Sequence, residues 1–266
     1  MGEQRDMSSA SAEVQQVNET GETTPRAARG WSWVPTLYFA QGLPYSMVNE
    51  FSVPMLKRLG VANSEITFYT RLLSLPWVIK PLWSPLVDVI GLKRLWVVAT
   101  QLAMAATLLL IGMFVTFENF LYLTLAGFAL LALISATHDV SADGFYIIAL
   151  SPHDQAWYVG LRSTFYRVAL VAGSGLLVIL AGWFENSSDD RATAWSYALY
   201  VTAAAYGVVA LMHALLLPRP AGDGPGPTAD ASFAAGFRTA FVSFFRKPGV
   251  GVTLAFLLFY RFAEAQ

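Results

Sequence analysis

The sequence predicts an all-α polytopic membrane protein, a bundle of six transmembrane helices followed by the start of a seventh. Composition points there first. The 266 residues are 55% hydrophobic and 13% charged, with mean hydropathy +0.49, whereas soluble domains carry about 25% charged residues. Apolar stretches then recur that reach the roughly 20 helical residues needed to cross a hydrocarbon core about 30 Å thick. The net charge of −1 provides no global attraction to nucleic acid, and no nucleic-acid partner is expected. The sequence has no Cys, which excludes disulfides, thiolate metal sites and thiol nucleophiles.

Residues 1–30 are polar and rich in Glu, Gln, Ser and Thr. They hold no apolar signal-peptide core, and a disordered cytosolic tail is expected. Spans are expected at about residues 31–53, 65–87, 95–115, 120–145, 157–184, 195–217 and 249–266, the last incomplete. The first carries Gln41, Asn49 and Glu50. The second holds Arg71, Lys80 and three prolines, Pro76, Pro81 and Pro85, each of which removes a helical hydrogen bond and predicts a kink. The third has no charge and reads as a lipid-facing support. The fourth carries His138, Asp139 and Asp143. The fifth holds Arg162 and Arg167, with Ala169 and Gly173 forming a small-residue face for close packing. Trp31, Trp33, Trp157, Trp183 and Trp195 fall at span ends, as interfacial belts do.

A Pro/Gly stretch at 218–228 opens a cytosolic linker, 218–248. Within it Phe233, Phe237, Phe241 and Phe244 recur at helical spacing near Arg238, Arg246 and Lys247. This predicts an amphipathic helix on the inner membrane face or packed on the bundle. The chain thus divides into tail 1–30, bundle 31–217, linker 218–248 and an incomplete seventh helix, 249–266, that carries Arg261, Glu264 and Gln266. Arg26, Arg29, Lys93, Arg94, Arg219, Arg238, Arg246 and Lys247 would lie on the side of the N-terminus, and only Lys57, Arg58 and Arg191 opposite. That bias places the N-terminus in the cytosol.

The stretch 133–145, L-I-S-A-T-H-D-V-S-A-D-G-F, carries the chemistry. A carboxylate in a span costs a few kcal/mol unless it faces a partner or a wet cavity. Asp139 and Asp143 are four apart and share a helix face. By depth, Asp143 can pair with Arg162, Asp139 with Arg167, and Glu50 with Arg71. Asp139, its neighbour His138, a residue type that can titrate near neutral pH, and Glu50 are the candidate proton-coupling residues. Gln41, Tyr45, Asn49, Arg71, Asp143, Arg261 and Glu264 are the candidate substrate-cavity residues. His153 and His213 read as loop and helix-end residues. No metal site or cofactor is expected.

Residues 84–94, S-P-L-V-D-V-I-G-L-K-R, resemble the loop 2–3 signature of the major facilitator superfamily, G-x-L-x-D-R-x-G-R-[RK]-[RK]. Leu86, Asp88, Gly91, Lys93 and Arg94 match, while Ser84 and Val89 replace Gly and Arg. Residues 38–45 (Y-F-A-Q-G-L-P-Y) and 75–88 (L-P-W-V-I-K-P-L-W-S-P-L-V-D) resemble the first two helices of AmpG-type muropeptide permeases and the related acetyl-CoA transporters. T-H-D-V-S-A-D-G resembles that family's fourth helix, with His138 in place of a usual Gln.

The resemblance implies the N-terminal six-helix bundle of a major facilitator-type transporter. Its activity would be proton-coupled import by alternating access across the cell inner membrane. The cargo would be muropeptides or related saccharide or acyl conjugates, with Asp88, Gly91, Lys93 and Arg94 as the conformational loop motif. The partners implied are a small-molecule substrate, protons, the bilayer and a second six-helix bundle, in a longer chain or a second one. The alternative is a truncated half-transporter or accessory protein inactive alone. A membrane enzyme is not expected, because no phosphate loop, metal spacing or nucleophile constellation is present.

Overall fold

The computed structural model describes residues 30–224, 238–239, 241–243 and 245–264. Among the described residues every regular element is helical. The first run is α1 (Val34–Ser46), a π-helical turn (Met47–Phe51) and α2 (Ser52–Arg58). Pro44 lies inside α1 and cannot donate to the helical ladder, and the helix widens directly after it. The second run is broken into α3 (Asn63–Leu73), α4 (Leu75–Ile79), a 3₁₀ turn (Lys80–Leu82) and α5 (Ser84–Ile90). Pro76, Pro81 and Pro85 each take one of the first two positions of a new piece, where a missing N–H costs nothing. The three expected kinks are thus three restarts of the helix.

A sharp turn leads out of α5. Gly91 has φ 70° and ψ −158°, a region open essentially to glycine alone. Leu92 follows in the left-handed region at φ 53°. Then come α6 (Lys93–Phe114), α7 (Phe120–Ala149), α8 (Pro152–Val171), a second π-helical turn (Ala172–Leu176), α9 (Leu177–Ser187), α10 (Arg191–Leu216) and α11 (Val250–Glu264). Ser151 caps α8 by accepting from the Asp154 amide at 3.2 Å. Asp190 caps α10, accepting from the amides of Thr193 and Ala192 at 2.9 and 3.3 Å. The Thr193 hydroxyl and amide hold the Asp190 carboxyl below the usual carboxylate range. The cap is therefore present at neutral pH and is lost only on strong acidification.

Among the described residues, α6, α7, the run Pro152–Ser187 and α10 are long and apolar enough to cross a membrane. The first run is instead almost wholly enclosed: Val34, Leu37, Tyr38, Met47, Val48, Phe51 and Met55 are buried. It packs along α8, and also meets α7 and α10. The two π-helical turns face each other across the α1–α8 seam. There Gly173 lies so close to Ser46 that a Cβ would sit 2.5 Å from its Oγ. Gly42 meets the Tyr166 carbonyl in the same way, at 2.7 Å. Ala169 touches Gly42 and lies one turn before Gly173, so the small-residue face forms the seam.

The third span departs from the expectation of a lipid-facing support. α6 packs along α7 on one side and α10 on the other, and Gln101, Met104, Leu108 and Ile111 are buried. Leu95, Leu102, Leu109 and Met113 form its exposed face. The phenylalanine-rich helix expected around Phe233, Phe237 and Phe244 lies largely outside the described residues.

Gly42→Ala drives a methyl group into a backbone carbonyl, and overpacking of this kind costs about 1–3 kcal/mol. Thermal unfolding in detergent should show that loss. Gly182→Ala, where nothing lies within 4 Å, should be neutral or slightly stabilising.

Candidate functional site

A cavity of about 600 Å³ opens between the first and second runs, α7 and α8. Helix α1 contributes Tyr38, Gln41 and Tyr45, and the second run contributes Trp77 and Lys80. Helix α7 gives Asp139, and α8 gives Arg162, Ser163, Tyr166, Arg167 and Leu170. The walls are aromatic: Tyr45 meets Trp77 edge-on with ring centroids 5.0 Å apart. The second run is pinned here despite its breaks. Ser74 Oγ donates to Asn49 Oδ1 at 2.5 Å and Trp83 Nε1 to Thr137 Oγ1 at 3.2 Å.

Two ion pairs govern the electrostatics. Arg162 donates to Asp143 Oδ1 at 3.0 Å, and the Tyr38 hydroxyl donates to the same oxygen at 3.1 Å. The guanidinium also lies 4.6 Å from the Tyr38 ring centroid and 5.4 Å from that of Tyr146, so cation–π contacts hold it. This is the pair expected from depth. The partner of Asp139 is different: Lys80 Nζ lies 3.5 Å from Asp139 Oδ2, and no Asp139–Arg167 ion pair forms. The 3₁₀ turn at Lys80–Leu82 brings the lysine to α7, a consequence of Pro81 that span depth alone does not reveal. Three buried polar atoms of the cavity residues, Asp139 Oδ1, Gln41 Oε1 and Trp77 Nε1, have no hydrogen-bond partner among the described residues.

His138 lies elsewhere. One residue along a helix is a rotation of about 100°, so His138 leaves the cavity face when Asp139 occupies it. It is fully buried, and its Nε2 meets Gln101 Nε2 at 3.0 Å. Gln101 Oε1 lies 2.9 Å from His213 Nδ1, and His213 Nε2 lies 2.9 Å from Thr36 Oγ1. The amide nitrogen must donate, so His138 accepts at Nε2. The amide oxygen must accept, so His213 donates from Nδ1, and its Nε2 faces Thr36 Oγ1, whose single proton the Trp33 carbonyl at 3.1 Å also competes for. The chain Thr36–His213–Gln101–His138 joins α1, α10, α6 and α7 behind the cavity. His213 is thus a helix-end residue as expected, in the last turn of α10, but a buried one that bridges to α1 and α6. Gln101, the one amide side chain in α6, was the available signal for this network.

The remaining candidates scatter. Gln41 and Tyr45 line the cavity. Asn49 bonds to Ser74 and to the Tyr45 carbonyl. Glu50 is exposed and accepts from Ser46 at 3.0 Å. It forms no ion pair with Arg71, which lines a separate surface cleft with Ser64, Phe68 and Leu75. Ser46 Oγ also lies 2.9 Å from the Leu170 carbonyl, so its single proton serves one acceptor at a time. The side chains of Asp88, Arg261 and Glu264 lie outside the described set.

At the loop motif, the Asp223 carboxylate accepts from the amides of Lys93 and Arg94 at 2.5 and 3.1 Å, satisfying N–H groups at the start of α6. Arg94 donates to the carbonyls of Leu217, at 3.2 Å, and Ala214, closing the end of α10. Asp223 had no sequence signal, since an Asp in a Pro/Gly linker reads as solvated. At the other end of the bundle, Arg58 pairs with Glu185 at 3.0 Å, and Trp195 Nε1 donates to Glu185 at 2.7 Å. Glu185 thus neutralises Arg58, one of the few cations opposite the basic end.

Arg162→Ala should destabilise the fold more than Arg162→Ala combined with Asp143→Asn, because the single change strands a carboxylate. Both side chains are about a third exposed, so the difference should be on the order of 1–2 kcal/mol, below that of a fully buried pair. Gln101→Leu strands two buried imidazoles and should cost roughly 2–4 kcal/mol. Thermal melts of the purified variants measure both.

The sequence has relatives. An uncharacterised protein of Schizosaccharomyces pombe is 29% identical over 208 residues, covering 70% of this chain and 39% of its own. An uncharacterised protein of Haemophilus influenzae is 27% identical over 236 residues, covering 85% of this chain and 52% of its own. The chain thus spans about half or less of the length of these relatives. Residues 36–263 match the model of the Major Facilitator Superfamily. With membrane-spanning helices packed around a polar cavity, this multi-pass membrane protein belongs to the Major Facilitator Superfamily.

Proposed function

We propose that this chain forms the N-terminal bundle of a proton-coupled secondary transporter. It would work by alternating access in the cell inner membrane, with its N-terminus cytosolic, and import muropeptides or related saccharide or acyl conjugates. The observation that carries the reading is Asp139. It is a buried carboxylate on the cavity wall. One of its oxygens is held by Lys80 at 3.5 Å, and the other has no partner among the described residues. A carboxylate so placed accepts a proton on its free oxygen without repacking.

Protonation would remove the charge that holds Lys80 and so loosen the second run from α7. Because that contact crosses the cavity, states that keep the two elements together and states that part them would differ in proton affinity. Such a difference is the sole means by which a ligand moves a conformational equilibrium. His138 is turned away into the interhelical network, and Glu50 is exposed outside the cavity, so the coupling role concentrates on Asp139. A second bundle, in the same chain or another, would close the cavity at the midplane, as in transporters built from paired repeats.

The test uses full-length protein in proteoliposomes with an imposed pH gradient and a labelled anhydro-muropeptide, with acyl-CoA and simple sugars as comparison cargo. Asp139→Asn should abolish gradient-driven accumulation while counterflow exchange, which needs no net proton movement, persists. Accumulation at the unmodified level would remove Asp139 from the coupling step.

A further inference from the structure

We propose that Arg167 is the anion-selecting residue of the cavity, so that the cargo must carry a carboxylate or phosphate. The inference rests on the transporter reading and narrows its substrate class. Three cations line the cavity, Lys80, Arg162 and Arg167. Lys80 is matched by Asp139 and Arg162 by Asp143. Arg162 is further fixed by the rings of Tyr38 and Tyr146. Among the described residues Arg167 has no counter-ion, no hydrogen-bond partner and no aromatic face. A guanidinium cannot shed its proton, and an uncompensated charge at membrane depth is costly. Nothing among the described residues supplies that compensation, and a bidentate oxyanion matches the planar fork of the guanidinium.

The unpartnered atoms define the rest of the cargo. Gln41 Oε1 and Asp139 Oδ1 are acceptors awaiting donors, and Trp77 Nε1 is a donor awaiting an acceptor. A hydroxyl or amide group satisfies both kinds, and the Tyr45 and Trp77 rings offer a face for a sugar or other flat ring. The site is therefore built for an anionic molecule rich in hydroxyls or amides. It is not built for a cation, which would meet a surplus positive charge, nor for a neutral hydrocarbon, which would leave the buried polar atoms unpaired.

The experiment measures equilibrium binding to the full-length protein in detergent, without a pH gradient. Two matched pairs of probes are used: anhydro-muropeptide against its fully amidated form, and acetyl-CoA against acetyl-pantetheine. In the unmodified protein the anionic member of at least one pair should bind at least about tenfold more tightly than its neutral partner, the ratio that one charge-assisted hydrogen bond supplies. Arg167→Gln should erase the preference while leaving affinity for the neutral probe intact, which also shows that the variant is folded. Arg167→Lys should retain part of it. Equal binding of both members, as when a carboxylate of the second bundle already neutralises Arg167, overturns the proposal. So does a preference that survives Arg167→Gln, or failure of both anionic probes to bind. Anion preference for acetyl-CoA alone would sustain the role of Arg167 while removing muropeptides as cargo, and neither result depends on proton coupling through Asp139.

Discussion

Charge that enters a bilayer-spanning bundle is costly unless it is paired, and much of this structure follows from that constraint. The Arg162–Asp143 pair locks α8 to α7 at 3.0 Å with Tyr38 of α1 on the same oxygen. The Lys80–Asp139 pair draws the broken second run onto α7. Together the two pairs bring four elements around one cavity. The difference between them is informative. The first is short, shared with a hydroxyl and covered by aromatic rings, so it holds the bundle together. The second is longer, and among the described residues one oxygen of its carboxylate has no hydrogen-bond partner.

Neutral polar contacts play the corresponding part behind the cavity. The chain from Thr36 through His213 and Gln101 to His138 ties four helices together through polar contacts. In an apolar surrounding each such bond matters less for its own strength than for the cost of leaving it unmade. Asp223 and Arg94 close the start of α6 and the end of α10, which ties the segment after α10 to the turn after α5. At the opposite end Glu185 gathers Arg58 and Trp195. Both ends and the middle of the bundle are thus held by polar contacts, while the long apolar faces of α6, α7 and α10 supply the bulk of the packing.

Small residues set how closely the cavity walls approach. Gly42 and Gly173 let α1 and α8 meet at backbone distance, and two π-helical turns lie at that seam. Prolines shape the facing wall. By restarting the second run at Pro76, Pro81 and Pro85, the sequence turns one expected span into four short pieces, and one of those turns carries Lys80.

The all-helical class and the two carboxylates four apart on one helix were determined by the sequence, because hydropathy and helical period are local properties. The Asp143–Arg162 pair was legible for the same reason, since depth along two adjacent spans follows from counting residues. The partner of Asp139 was not, because it depends on how proline reshapes the second run. The roles of His138, His213 and Gln101 were decided only by tertiary structure. Neighbours in a helical sequence point about 100° apart, so His138 beside Asp139 in the chain is far from it in function. Asp223 is of the same kind, a linker carboxylate whose use depends on where the chain returns. Which helices touch, and through which atoms, is fixed by packing between segments that lie far apart along the chain.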